Sequence, residues 1–181
     1  MASMVRRKRI QPVVEGLLAR VGVTEPPIPV ESIAKLCDAD VRFAPFDGDD
    51  GDVSGMLYQD GARTIIGVNV LHAKTRQRFT IAHELGHLCL HSADRLHVDR
   101  DFRVAWRNEK SSQATDVSEI EANEFAAELL MPAAMLERDL HGHRVDYEDD
   151  EQVSKLASRY RVSLQAMVIR LTNLGLIGLS S

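Results

Sequence analysis

The sequence predicts an α+β fold, in which a small antiparallel sheet packs on a helix that carries two histidines and a helical C-terminal tail follows. Three observations support this fold class. Residues 75–90 and 118–131 have the composition and apolar spacing of helices. Two short apolar runs stand on either side of a turn dipeptide just before the first of these helices. Residues 149–177 hold two further helical patterns, separated by a short break.

The length and apolar content predict one compact core with a small appendage. The chain has 181 residues, of which 44% are hydrophobic, and this is enough to bury a single core. We place the core at residues 1–132. Residues 133–181 are predicted to form a helical region that resembles a helix-turn-helix unit.

Charge and cysteine content restrict the class of protein. The net charge of −5 disfavours DNA binding over the whole surface, because such binding needs many basic residues on phosphates. The basic stretch 6–9 is predicted to be a solvated, flexible terminus. Two cysteines make no disulfide framework, which favours a reducing cytosol. The chain shows neither a secretory signal nor an apolar run long enough for a bilayer, so we expect a cytoplasmic protein without membrane contact.

Two helices and three strands are predicted before the histidine motif. The second helix begins after the proline-rich stretch 24–29, because proline lacks the amide donor that a helix interior needs. Asp60-Gly61 favours a tight turn that joins the last two strands into a hairpin. The predicted bounds are 12–21 and 30–38 for the helices and 40–46, 53–58 and 63–70 for the strands.

The residues after the motif divide into a loop and several helices. Residues 92–118 are charged and lack periodicity, so they are predicted to form a long loop. Residues 118–131 form a strong helical pattern, and Pro132 ends it and opens a shorter helix. In the tail, Ser163 is a suitable N-cap and Gly175 a suitable C-terminal stop.

The stretch TIAHELGHLCLH, residues 80–91, has the spacing H-E-x-x-H. His83 and His87 are four apart, so on a helix they face one side and can bind one zinc ion. Glu84 lies about 100° around the helix, where it can take a proton from a water on the metal. The alternative is an amphipathic helix with two partly buried histidines. Gly86 favours the metal site, because a glycine inside a helix costs ~1 kcal/mol and indicates close packing.

An open zinc site needs a third protein ligand. The metzincin pattern would place glycine at 90 and histidine at 93, where this chain has Leu90 and Ala93. A glutamate from the helix at 118–131 remains. Glu119 and Asn123 share one helix face, so we predict Glu119 as the ligand and Asn123 as the partner of a ligand histidine. The other glutamates of this helix are predicted to be solvated: Glu121, Glu124 and Glu128.

The two stretches RFTIAHELGHLCLH and EIEANEFAAELLMP together resemble the ImmA/IrrE family of metallopeptidases, over about residues 30–132. The resemblance implies a zincin-like minimal metallopeptidase fold. It implies that His83, His87 and Glu119 hold Zn²⁺ and that Glu84 is the catalytic base. Asn123 matches the asparagine of the family's E-x-x-A-N pattern. Mn²⁺ accepts the same ligand set, but nitrogen ligands favour zinc.

The resemblance also implies a function. Members of the family act on helix-turn-helix (XRE-type) transcriptional repressors, so we expect an endopeptidase that relieves repression in a stress or mobile-element response. The alternative is a non-catalytic module that binds the repressor and has a structural metal site. Glu84 separates the two, because a structural site has no use for a carboxylate beside an open coordination position.

The tail and the remaining polar residues leave two points open. A DNA-reading helix would need basic side chains, and the second tail helix has only Arg170. We therefore expect the tail to complete the core or to dock the repressor, without direct DNA contact. The group that stabilises the transition state stays open between Tyr58, Tyr147 and the histidines outside the motif, which are His72, His91, His97, His141 and His143.

Overall fold

The computed structural model describes residues 2–46, 53–61, 63–91, 96–99, 115–146 and 149–178. Within these residues, α-helices pack on a small four-stranded sheet, which confirms the predicted α+β class. None of the described helices is both long and apolar enough to cross a lipid bilayer.

The N-terminal helix α1 (Ala2–Val21) begins well before the predicted start at residue 12. The basic stretch 6–9 is therefore helical, and the prediction of a flexible terminus is wrong. Pro12 lies inside α1, although the missing amide of proline disfavours that position. Tertiary contacts explain the difference. The helix α1 packs on a later helix, where the Arg9 guanidinium lies 3.6 Å from the Glu121 carboxylate.

A second helix and a mixed sheet follow α1. They are α2 (Val30–Leu36), β1 (Ala39–Ala44), β2 (Gly55–Gln59), β3 (Thr64–Asn69) and β4 (Leu96–Asp99). The strands β2 and β3 form the predicted antiparallel hairpin, which the Asp60 amide closes by donating to the Arg63 carbonyl at 3.1 Å. The strand β4 pairs antiparallel with β2, but β1 pairs parallel with β3, so the prediction of a purely antiparallel sheet is wrong. The order across the sheet is β1-β3-β2-β4.

The edge strand β4 lies inside the stretch 92–118, so the prediction of an unbroken loop there is wrong. A strand of four residues has little local signal, and its pairing with β2 defines it. Apart from β4 and the start of the next helix, the residues of this stretch lie outside the described part of the chain.

Helices α3 (Lys74–Leu90) and α4 (Thr115–Leu130) form the centre of the molecule. They approach each other closely at Gly86. A Cβ atom at Gly86 would lie 2.9 Å from the Cα atom of Ala122, which is closer than real Cβ contacts allow. This close approach confirms the expectation that something packs against that face of α3, and it brings α4 next to the two histidines.

Three helices and a short parallel strand pair complete the described chain. They are α5 (Ala133–Asp139), β5 (Val145–Asp146), α6 (Asp150–Tyr160), α7 (Leu164–Leu174) and β6 (Ile177–Gly178). The Ser163 hydroxyl accepts a hydrogen bond from the Ala166 amide at 3.2 Å, and Gly175 ends α7 in the left-handed conformation. Both assignments agree with the sequence analysis.

The tail shares the core of the preceding residues. Buried apolar side chains of α6 and α7, such as Tyr160 and Leu171, belong to one cluster with those of α1, the sheet, α3 and α4. Arg170 is buried too. It donates to the Met131 carbonyl at 3.0 Å and forms an ion pair with Glu128 at the end of α4. The basic residue that the sequence offered for DNA contact therefore faces the protein interior.

Candidate metal centre

The three motif side chains of α3 are buried. His83, Glu84 and His87 are exposed by 1%, 0% and 5%. Burial of a carboxylate and two imidazoles in one helical turn costs free energy unless each group has a partner. The helix α3 contacts β2, β3 and α4, so these side chains are enclosed between the sheet and the second long helix.

Glu119 of α4 lies directly opposite the two histidines. The Nε2 atom of His83 is 3.3 Å from Glu119 Oε2, and the Nε2 atom of His87 is 3.3 Å from Glu119 Oε1. The two Nε2 atoms are 3.1 Å apart. The structure therefore brings together the three side chains that the sequence analysis selected as ligands.

A fourth side chain, which the sequence analysis considered only for transition-state stabilisation, joins this group. His97 of β4 places its Nε2 atom 3.3 Å from Glu119 Oε1. One ligand atom from each of His83, His87, His97 and Glu119 can be chosen so that all lie within 4.8 Å of one another. We refer to these four residues as the metal cluster.

The spacing of the metal cluster fits a tetrahedral ion. Ligand atoms at about 2.0–2.1 Å from a zinc ion, at the corners of a tetrahedron, lie roughly 3.3 Å from one another. In the structure, His87 Nε2 and His97 Nε2 each lie 3.3 Å from Glu119 Oε1, His83 Nε2 lies 3.3 Å from Glu119 Oε2, and the Nε2 atoms of His83 and His87 are 3.1 Å apart. Imidazole nitrogen and carboxylate oxygen are also the donor types that zinc takes. The residues present therefore fit a divalent metal ion.

Asn123 fixes the orientation of one histidine. Its Oδ1 atom lies 3.0 Å from His83 Nδ1. An amide oxygen only accepts, so the Nδ1–H group of His83 donates this hydrogen bond. The Nε2 atom of His83 then carries the lone pair and faces the cluster, as a metal ligand requires. The position of Asn123 agrees with the role predicted for it.

The electrostatics of Glu119 also suit a cation. Partial burial acts to raise the pKa of this carboxyl group, but hydrogen bonds with His83 and His87 outweigh it. The pKa of Glu119 therefore lies far below its usual range, and the group is an anion at neutral pH. These hydrogen bonds require a proton on the Nε2 atoms, and a metal ion beside the Glu119 anion would displace that proton and bind the nitrogen lone pair.

The Glu84 side chain lies against strand β2 of the sheet. A Cβ atom at Gly55 of β2 would lie 3.4 Å from Glu84 Oε1 and 2.3 Å from Thr80 Cγ2. Glycine at 55 thus lets β2 come close enough to cover the carboxylate. Because β2 also pairs with the strand that carries His97, Glu84 and the metal cluster flank the same part of the sheet.

The three other glutamates of α4 do not belong to the metal cluster, but the prediction that they are solvated is wrong. Glu121 and Glu128 are buried, and Glu124 is partly buried. Glu121 lies between Arg9 and His91, each at 3.6 Å, and Glu128 pairs with Arg170. Their partners come from distant parts of the chain, so the helix pattern alone gave no sign of burial.

The structure distinguishes the candidates for transition-state stabilisation by their exposure and by whether they belong to the metal cluster. Tyr58 lies on β2 and is exposed by 38%, while Tyr147 lies outside the described residues. His141 and His143 are exposed turn residues, and of the histidines outside the motif only His97 is in the metal cluster, as far as the described chain shows. The alternation of Leu96 and Val98 with His97 and Asp99 was the one signal that could have indicated its strand.

Residues 34–172 match the family described as the IrrE N-terminal-like domain, a family of metallopeptidases. The chain belongs to this family. The match confirms the resemblance that the two motifs indicated. It covers both motif helices and ends within α7 of the tail.

The chain is similar to one named relative in sequence and to one solved structure in fold. The chain is 34% identical, over 144 residues, to the radiation response metalloprotease IrrE of Deinococcus radiodurans. The alignment covers 77% of this chain and 38% of that relative, so the chain spans well under half of its length. A solved structure of a Mycobacterium tuberculosis transcriptional regulator matches with a TM-score of 0.58 and 17% identity, over 91% of this chain and 46% of that one. At that identity the match shows a shared fold.

Proposed function

We propose that this protein is a zinc-dependent endopeptidase that cleaves a helix-turn-helix repressor of the XRE type. One observation carries the enzymatic part of the proposal. Glu84 directly follows the cluster residue His83 on α3, is fully buried, and places a carboxylate oxygen toward β2. A buried carboxylate next to a metal-ligating histidine is positioned to act as a general base.

In this proposal, His83, His87 and Glu119 hold the metal, and Asn123 orients His83. When bound, a zinc ion would act as a Lewis acid on the scissile carbonyl and on the attacking water. Glu84 would accept the proton of that water at a carboxylate oxygen and return it to the nitrogen of the leaving amine. Enclosure of Glu84 under β2 keeps bulk water away from this proton, which favours transfer between the intended partners.

The donor set supports zinc over manganese. Imidazole nitrogens bind zinc well, whereas manganese prefers oxygen ligands. The metal cluster offers imidazoles from three histidines and one carboxylate, so nitrogen predominates. We therefore propose zinc as the resident ion.

The substrate class and the cellular setting in this proposal are inferred from the names of similar proteins. IrrE of Deinococcus radiodurans is named as a radiation response metalloprotease, and the protein of similar fold is named as a transcriptional regulator. Together with the motif resemblance, these names support a repressor as substrate and a stress or mobile-element response as the setting. The absence of a membrane-crossing helix from the described residues agrees with a cytoplasmic location.

The test is cleavage of a repressor by the full chain. The purified protein, loaded with zinc, is incubated with the XRE-type repressor encoded nearest to its gene, and fragments are identified by mass spectrometry. Glu84→Gln keeps the shape of the side chain but removes the base, so the cleavage rate should fall by at least about 100-fold. Its bound metal should match that of the wild type.

A matched control separates this effect from a general change of charge. Glu137 lies exposed on α5, away from the metal cluster, so Glu137→Gln should leave the rate unchanged. Undiminished cleavage by Glu84→Gln would contradict the catalytic role of Glu84. Absence of cleavage by the wild type, with metal bound, would contradict the choice of substrate.

One observation favours a second candidate function, a repressor-binding module with a structural metal. Structural zinc sites have four protein ligands, and the metal cluster contains four side chains. In that case Glu84→Gln would still relieve repression in cells. The same variant therefore distinguishes the two functions, because loss of relief with repressor binding intact supports the enzyme.

A further inference from the structure

We propose that His97 is a fourth protein ligand of the metal, which closes the resting site and is displaced when a substrate or another ligand binds. The inference rests on the proposed metal site of His83, His87 and Glu119, and it adds a residue that neither sequence motif contains. It concerns the edge strand β4, which carries this histidine from outside the two motif helices.

The register of the sheet aims His97 at the metal cluster. In the antiparallel pair of β2 and β4, His97 lies opposite Leu57. Directly opposed residues project to the same face of a sheet, and Leu57 is fully buried. Gly55, two residues earlier on β2, faces Thr80 and Glu84 of α3. This face of the sheet is therefore the α3 side, and a shift of one residue would turn His97 away from it.

The contacts of His97 resemble those of the two motif histidines. Its Nε2 atom lies at the same 3.3 Å from Glu119 as the Nε2 atoms of His83 and His87. Its ring centroid is 4.0 Å from that of His87 and 6.4 Å from that of His83. Three imidazoles thus lie 3.3 Å from one carboxylate, and a metal held by His83, His87 and Glu119 would have the His97 imidazole within reach as a fourth ligand.

The location of His97 explains why this ligand should be displaceable. His83 and His87 lie on a long buried helix, and Glu119 lies on a second one. His97 lies on a four-residue edge strand and its side chain is exposed by 26%. Edge strands pair on one side only, so the free energy needed to move β4 is smaller than that needed to move α3 or α4.

The same strand also occupies the edge of β2 that an extended peptide would use. Peptides often add to a sheet as an extra strand, through main-chain hydrogen bonds. Here β4 holds the outer edge of β2, beside the metal cluster. A substrate that replaced β4 would free this edge and remove His97 from the metal in one movement, and a coordination position would become available.

The experiment compares cobalt-loaded and zinc-loaded forms of the full chain. Co²⁺ reports its ligands through its visible absorption, and zinc affinity is measured by competition with a chelator. His97→Ala and the bulkier His97→Gln should both change the cobalt spectrum and weaken zinc binding by about tenfold or more, since even an outer-shell partner contributes this much. His143→Ala, an exposed histidine away from the cluster, is the matched control and should change neither.

Acetohydroxamate then tests displacement. This small chelating probe should bind the metal of His97→Ala more tightly than that of the wild type, because in the wild type it must first displace His97. Equal zinc affinity, spectra and hydroxamate binding in the wild type and both variants would overturn the inference and leave the proposed function intact. Complete loss of metal from both variants would make His97 indispensable and would overturn its displaceable role. A wild type that binds no metal would instead contradict the proposed function itself.

Discussion

The helix pairs α3–α4 and α6–α7 differ in the local signals that define their ends and in the polarity of the residues they bury. In α6–α7, local signals define both helices. The Asp149 carboxylate caps α6, Ser163 caps α7, and the left-handed residues Arg161 and Gly175 end them. The N-cap residue of α3, Ala73, provides no side-chain hydrogen bond, and the buried residues of α3 include a carboxylate and two imidazoles.

This difference indicates what each pair contributes. Caps and apolar contacts stabilise α6–α7 at little cost, whereas polar groups in the α3–α4 interface cost free energy that a stability-driven fold would avoid. The interface also requires glycine at 86, where helix propensity disfavours it. We conclude that α3–α4 is arranged for a ligand and that α6–α7 supports it.

The largest effect on stability is expected at the point where α3 meets α4. Gly86→Ala would bring a Cβ atom to 2.9 Å from the Ala122 backbone, so the helices must separate. Overpacking of this kind costs typically about 1–3 kcal/mol, which exceeds the gain in helix propensity. Urea unfolding should show this loss, and zinc affinity should fall too because Glu119 moves with α4.

Gly16 of α1 provides the matched control. It lies in a helix and is exposed, and an added Cβ atom there has no neighbour within 4 Å. Gly16→Ala should therefore stabilise the protein by up to about 1 kcal/mol. If both alanine variants had the same stability, the close approach of α3 and α4 would not depend on glycine at position 86.

A smaller effect is expected in the tail. Ser163→Ala removes the hydroxyl that accepts from the Ala166 amide, and loss of such a cap costs typically about 1 kcal/mol. Because α7 does not contribute to the metal cluster, zinc affinity should stay at the wild-type value. Thermal unfolding and chelator competition on the same preparation check both parts. A marked loss of zinc binding would show that the two helix pairs are coupled.

The sequence was sufficient for features that local physics determines. The spacing of His83 and His87 placed both on one helix face, and the Asp60-Gly61 turn identified the hairpin. Ser163 and Gly175 marked the ends of α7 because capping depends on adjacent residues. Glu119 and Asn123 could be selected because they share one helix face, and the structure brings both to His83.

Features that depend on partners distant in the sequence could not be predicted from the sequence alone. The strand of His97 is short and lies in a charged stretch, and only its pairing with β2 shows that it is a strand. Burial of Glu121 and Glu128 depends on Arg9 and Arg170, which are far away in sequence. Sequence periodicity reports which faces are apolar, but it does not report which charged residue will meet a partner.

The most direct test of the account is the zinc content of purified protein after dialysis, for the wild type, Glu119→Ala and the exposed control Glu137→Ala. We expect about one zinc ion per chain in the wild type and in the control, and a large loss in Glu119→Ala, since this variant removes the anionic ligand of the metal cluster and leaves only imidazoles. Full retention of zinc by Glu119→Ala would contradict the ligand role of Glu119, and no zinc in the wild type after zinc is supplied would contradict the metal centre between α3 and α4.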